Sequence, residues 1–419
     1  MAAFFIPGEK KIRPGVYDRY ENYGTPPTAG AADGVCAAVL RSNWGATGQA
    51  ILLESYADIA KYYGDGGTTA VPMEQFKGGA RTVYAVRAGS GGTAGTYSIA
   101  DTDVVAVATL TMKYPGSREF SVTIRPTIED PNTFELLILD GTTQLERLLF
   151  SNTNVDTLLN AYTAAGSNYY TLTKLTDSTN AIATIDQAAI TPGTDPTVDT
   201  AAYSAALDIL EAYRWNVLSI DTNDVPTQLL MQQYLDRIYQ DGKFVMGVVG
   251  EPAGVTFETR LQHASAFNDY KVVYVGNGFI DASGASYDGY LAAARIAGLI
   301  AGTPSNESIT RLAISGAVSL TEPLTNNQYE RAIKGGMLTF SVSAANTVWV
   351  EQGINTLVLP GTTEDEGWKK IKRVKVRFEI MQRINDTVDP LVGRINNDPD
   401  GRMNIIQVSN AVCTAMAAE

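Results

Sequence analysis

The sequence predicts an α/β domain interrupted by an antiparallel β-sandwich and followed by a smaller α+β region. Three observations carry this expectation. Apolar runs of strand length alternate with helical patterns over residues 201–301, and strand, helix and strand also succeed one another over residues 35–86. Between them, residues 97–197 hold short alternating segments broken by turn residues, with little helical pattern. Because α/β character flanks this stretch on both sides, it reads as an insertion into one larger domain.

Taken in order, the chain opens with an extended arm. Ile12, Val16, Tyr17, Tyr20 and Tyr23 favour a strand, and Pro14 suits an edge position because it removes one ladder donor. The residues that follow, 24–32, are rich in Pro, Gly, Ala and Thr and read as a tether, so the arm is expected to pair at a distance, within its own subunit or on a neighbour. Residues 35–40 read as a buried strand ending at the turn Asn43, Trp44, Gly45. Ser55 caps a short helix stopped by Gly64, and a second helix at 72–77 leads into a strand at 82–86.

Within the insertion, strands are expected at 104–110, 120–124, 134–139 and 169–175, with 176–200 as an exposed loop. Helices at 201–213, 226–240, 256–264 and 287–301 then alternate with strands at 216–220, 243–249 and 271–275; such continuous apolar strands fit a parallel sheet covered on both faces. From Gly336 strands return at 338–342, 347–351 and 356–359, followed by a strand running into a helix near Phe378 and a last helix at 402–417. The domain division read from this is 1–32 for the arm and tether, 33–96 with 198–345 for the α/β domain, 97–197 for the insertion and 346–419 for the C-terminal region.

The 419 residues exceed one simple core. A formal net charge of −13 argues against a nucleic-acid binder, since phosphate contact needs a basic surface. Cys36 and Cys413 lie in apolar surroundings and read as small buried hydrophobes. The segment Met1 to Pro7 is apolar but lacks a basic n-region, so no signal peptide is expected, and the apolar residues 291–301 are too short and too polar at Arg295 to cross a bilayer.

No catalytic constellation emerges. His263 is the single histidine and falls inside a helical pattern, which leaves a triad without its base. The glycine clusters at 64–67 and 89–92 lack the Gly-Lys-Ser/Thr or Gly-x-Gly-x-x-Gly contexts that cradle phosphate. Asn396, Asp398 and Asp400 with Gly401 imitate the start of a calcium loop, but Pro399 and Gln407 spoil it, so a turn capping the last helix is expected and no cofactor or metal. One charge concentration exists: Lys369, Lys370, Lys372, Arg373, Lys375 and Arg377, read as a solvated strand face or a dock for an acidic protein partner, with nucleic acid as the third option.

Three passages together resemble the tail sheath proteins of contractile-tailed phages and related injection particles. They are Arg13-Pro14-Gly15-Val16-Tyr17, Gly353-Ile354-Asn355-Thr356-Leu357, and Gly393-Arg394-Ile395-Asn396-Asn397 with Gly401-Arg402; the Asn43-Trp44-Gly45 turn adds to them. The resemblance implies a subtilisin-like α/β domain without a working triad, an outward β-sandwich insertion and a C-terminal α+β domain facing an inner tube. It implies that the arm, through Ile12, Arg13, Pro14, Gly15, Val16, Tyr17 and Tyr20, adds a strand to a neighbour's C-terminal sheet. Copies then form six-fold rings and a helical polymer around the tail tube protein, bounded by baseplate and terminator proteins, in a virion tail assembled in the bacterial cytoplasm. No nucleic acid, membrane insertion or nucleotide hydrolysis enters this picture. Relatives continue past the last helix into a C-terminal arm, so a chain stopping at Glu419 is expected to polymerise poorly. The competing expectation is an α/β enzyme with an inserted β-domain, binding a small molecule at the strand C-termini.

Overall fold

A computed structural model of the protein describes residues 34–418. One compact unit ends at Phe378, and Glu379 onward belongs to a second. The first begins with β1 (Val35–Leu40), β2 (Ala50–Leu53), α1 (Tyr56–Tyr63), α2 (Ala70–Gly78) and β3 (Thr82–Arg87). It continues through β4 (Ala94–Ala100), β5 (Ala106–Pro115), β6 (Ser121–Pro126), β7 (Thr133–Asp140), β8 (Thr143–Ser151), α3 (Val155–Ala165), β9 (Tyr170–Lys174) and β10 (Ile185–Ala189). Next come α4 (Thr200–Leu210), β11 (Val217–Ile220), α5 (Val225–Gln240), β12 (Met246–Gly250), α6 (Phe257–Phe267) and β13 (Val272–Val275). The remainder of the first unit is β14 (Phe279–Asp281), β15 (Ser286–Tyr287), α7 (Tyr290–Gly302), β16 (Ala317–Leu320), α8 (Asn326–Lys334), β17 (Met337–Leu338), β18 (Phe340–Val342), β19 (Val348–Val350) and the start of α9 (Ile371–Val388); α10 (Pro399–Ala418) belongs to the second.

The central sheet has seven strands in the order β17-β13-β12-β11-β1-β3-β2, parallel except for β2, which runs antiparallel on β3. Alternate residues of β1 feed two cores: Cys36, Ala38 and Leu40 face one, Ala37 and Val39 the other. This is why the central strands are continuous apolar runs. The first core includes α7 and the start of α9, the second α4, α5 and α6. Helices α2 and α7 pack backbone against backbone, since a Cβ on Gly298 would stand 2.0 Å from the Gln75 carbonyl oxygen. Beside that contact the buried Glu74 carboxylate accepts from Arg295 Nε at 2.9 Å.

Between β3 and α4 the chain forms two antiparallel sheets, β10-β6-β7-β8 and β4-β5-β9, around a separate core that includes Ile99, Leu110, Val122 and Ile138. Trp44, from the turn after β1, belongs to that core, with ring centroids 4.9 Å from Phe120 and 5.3 Å from Tyr114.

Several expectations are corrected. The segment over 176–200 is no plain loop: β10 pairs with β6, and Ile182 and Ile190 are buried. The insertion also contains α3, capped by Asn154, whose side chain accepts from Thr157 N at 3.2 Å. The strand expected at 338–342 divides, β17 joining the central sheet and β18 pairing with β19. Residues 356–359 form no strand, because their backbone is spent on other partners. The basic run enters a helix at Ile371 and not a strand, since Ile371, Val374 and Phe378 bury one helical stripe in the first core. Finally, Cys36 is buried but Cys413 is exposed.

Candidate assembly surfaces

The basic run owes its position to the connector at 353–357. Asn355 is fully buried; its backbone N–H donates to the Lys369 carbonyl at 3.0 Å and its side-chain amide to the Trp368 carbonyl at 2.6 Å. Thr356 N donates to Val272 O at 2.9 Å, and the Thr356 hydroxyl donates to Asp269 O at 2.8 Å, which ties the connector to the edge of β13. Through these bonds the start of α9 is held against the central sheet.

The six basic side chains do not act alike. Lys375 caps the C-terminus of α7, donating to Ile300 O at 2.8 Å and also to Thr303 O. Arg377 stacks over the Trp368 ring at 3.6 Å. Lys369 donates to Lys334 O at 2.8 Å. Lys372 and Arg373 are exposed. Burial, then the neighbouring Lys370, pulls the Lys369 ammonium below its ordinary range, and burial, then Arg373, does the same to Lys370. An anionic partner at this surface would relieve that repulsion. The arm residues Ile12, Arg13, Pro14, Gly15, Val16, Tyr17 and Tyr20 lie outside the described residues.

At the carboxyl ends of β1 and β11, where the strand order reverses and open α/β sheets place ligands, the protein has put its own side chains. Asp221 is wholly buried and accepts from Arg41 N at 2.8 Å, Arg41 Nε at 2.9 Å, the Tyr203 hydroxyl at 2.6 Å and the Thr68 hydroxyl. Burial, and then Asp221, drives the Tyr203 phenol well above its usual range. His263 Nδ1 lies 2.7 Å from the buried Glu251 carboxylate, which also accepts from Tyr274; no Ser, Thr or Cys side chain bonds to His263 among the described residues. Neither cluster was visible in the sequence, because each joins residues from distant segments with no spacing signal.

Residues 197–356 match the family described as phage tail sheath protein central domain. The sheath tail protein of Desulfitobacterium hafniense has the same fold, with a TM-score of 0.70 and 23% identity over 93% of this chain and 86% of that one. The helical sheath of the anti-feeding prophage in its contracted state is more distant, at a TM-score of 0.53 and 11% identity over 98% of this chain and 84% of that chain. In sequence, the phage-like element PBSX protein XkdK of Bacillus subtilis strain 168 is 23% identical over 394 residues, 89% of this chain and 78% of that protein. Central-domain match, fold and relatives agree in the likeness they show: residues 197–356 match the phage tail sheath central domain, and the chain as a whole resembles sheath tail proteins.

Proposed function

We propose that the protein is the structural subunit of a contractile tail sheath, polymerising as six-fold rings around an inner tube and contracting to drive that tube through a target envelope. The observation that carries this reading is the match of residues 197–356 to the sheath central domain. Its working parts are the arm and tether at 1–32, a subtilisin-like α/β domain at 33–96 and 198–345, the β-sandwich at 97–197 and a tube-facing region at 346–419. The arm, through Ile12 to Tyr20, adds a strand to the C-terminal sheet of a neighbour, so that main-chain hydrogen bonds cross the subunit boundary while the tether re-angles. The hairpin of β18 and β19 suits that role: Asn277 and Phe340 exchange hydrogen bonds at 2.7 and 3.0 Å, and beyond them the edge of β18 continues through the exposed Val342.

Lys369, Lys370, Lys372, Arg373, Lys375 and Arg377 form the start of the tube-facing surface, with Lys372 and Arg373 making direct contact. Baseplate and terminator proteins bound the polymer, which is built in the bacterial cytoplasm and delivered in a virion tail. Contraction needs no cofactor; the free energy comes from better packing of the final state. Negative-stain microscopy of the purified protein tests the reading. Rings or tubes of regular diameter are expected, and uniform monomers at every concentration and salt would refute it.

A further inference from the structure

Where the turn after β1 and the helix α1 meet the end of β5 and the loop before β9, an open cavity of about 110 Å³ is walled by Trp44, Tyr62, Tyr114 and Tyr169. Trp44 is 2% exposed, and its indole N–H makes no hydrogen bond to protein among the described residues. The hydroxyls of Tyr62, Tyr114 and Tyr169 likewise make no hydrogen bond to protein among those residues.

Two ammonium groups stand at the rim. Lys61 Nζ is 4.8 Å from the Tyr62 ring centroid, and Lys113 Nζ is 5.9 Å from that of Tyr114 while donating to Ser167 O at 3.4 Å. Neither lysine has a carboxylate within ion-pair distance among the described residues, although the chain carries a net charge of −13. Of the acids nearby, Glu146 accepts from the Ser167 hydroxyl at 2.7 Å, and Asp58 accepts from the amides of Glu54 and Ser55 at 3.0 and 2.9 Å while also feeling the charge of Lys61. Arg118, itself paired with Asp140, adds a positive charge felt at Tyr169, opposed there by Glu146.

A cavity of aromatic faces, spare hydroxyls, an indole donor and two ammoniums with no carboxylate at ion-pair distance calls for a ligand with a carboxylate, several hydroxyls and a flat C–H surface. A bare anion would leave the aromatic walls unused, and an aryl acid would leave the hydroxyls unpaired. We propose that this cavity binds a hexuronate unit. Its carboxylate lies between Lys61 and Lys113, its C–H face rests on the tyrosine walls, and a ring or hydroxyl oxygen accepts from Trp44. This inference is independent of how the subunits assemble.

Saturation-transfer NMR on the full-length protein tests it, since the method works on monomer and polymer alike. Glucuronate is expected to show saturable transfer to its ring protons, glucose weaker transfer and acetate no effective competition. The double variant Lys61→Ala/Lys113→Ala should weaken glucuronate binding at least about tenfold. Both lysines are exposed, so an unchanged thermal melt checks that the variant remains folded. A hexameric oligouronate that binds tighter than the single sugar assigns the site to a polysaccharide, and equal binding assigns it to the free sugar. No transfer to glucuronate, equal binding of glucose, full competition by acetate, or undiminished binding by the folded double variant would each overturn the proposal.

Discussion

Arg87 Nη1 donates to the carbonyl oxygen of Pro115 at 2.7 Å, a bond from the last residue of β3 to the last residue of β5. The same guanidinium donates to Gly45 O at 2.8 Å and to Ser42 O at 2.6 and 3.1 Å. One cation, itself 2% exposed, thus gathers the turn after β1 and the foot of the β-sandwich into a fixed joint. Trp44, wedged into the sandwich core, adds a second link across the same joint.

Replacing Arg87 by Ala would strand three carbonyls in a buried joint and should destabilise the protein by about 3–5 kcal/mol. Arg87→Lys should recover less than half of the loss, because a single ammonium cannot reproduce the fork. Urea unfolding with matched slopes measures both.

The Glu74–Arg295 pair between α2 and α7 is buried on both sides, with side chains 1% and 4% exposed. Glu74→Leu leaves the buried Arg295 charge without its carboxylate and should cost about 3–5 kcal/mol, whereas Arg295→Met leaves Glu74 with Lys77 at 2.7 Å and should cost less. The double change removes both charges, so its loss should fall well below the sum of the singles, a positive coupling that a double-mutant cycle reads directly.

The basic run divides by role. Lys375→Glu sets a carboxylate against the carbonyls of Ile300 and Thr303 and should destabilise the fold by about 2–4 kcal/mol. Lys372→Glu with Arg373→Glu alters exposed positions and should move stability by less than about 1 kcal/mol while weakening attachment to the tube. Thermal melts and cosedimentation with assembled tube separate these outcomes.

Asp281 predicts an acid limit. The Ser283 hydroxyl, then the Ala285 amide and the Tyr287 hydroxyl, hold its carboxylate at about 2, against a modest opposing effect of burial. A carboxylate whose folded-state pKa lies below its unfolded value stabilises the fold above the unfolded pKa, and the contribution is lost as pH falls through the folded pKa. The stability difference between the parent and Asp281→Asn should therefore be constant above about pH 5 and shrink steadily between about pH 4 and pH 2. Urea midpoints measured across that range give the answer.

The parallel core was legible because strands such as β12 and β13 are buried on both faces and leave unbroken apolar runs in the sequence. The start of α9 was not, because Val374, Val376, Phe378 and Ile380 satisfy a period of two while Ile371, Val374 and Phe378 satisfy a helical one. Burial of that helical stripe against the first core decided between them, and that is a tertiary fact. The connector at 356–359 has strand composition, yet Val358 N and Leu359 N both donate to the Asn268 side chain, which no local pattern announces. The lysines of the basic run were recognised as a group, but their division into Lys375 as a helix cap and Lys372 and Arg373 as free surface needed the helix α9 and its neighbours. Asp221 and Arg41 lie 180 positions apart, so the plug at the switch point was invisible before the sheet order was known.

The most direct test of the sheath reading is sedimentation velocity on the full chain beside one that begins at Gly24. The account predicts that at high protein concentration part of the full chain sediments as rings or polymers, and that the shortened chain is a monomer throughout with an unchanged circular dichroism melt. A shortened chain that assembles as readily as the full one, or a full chain that stays monomeric, would contradict it.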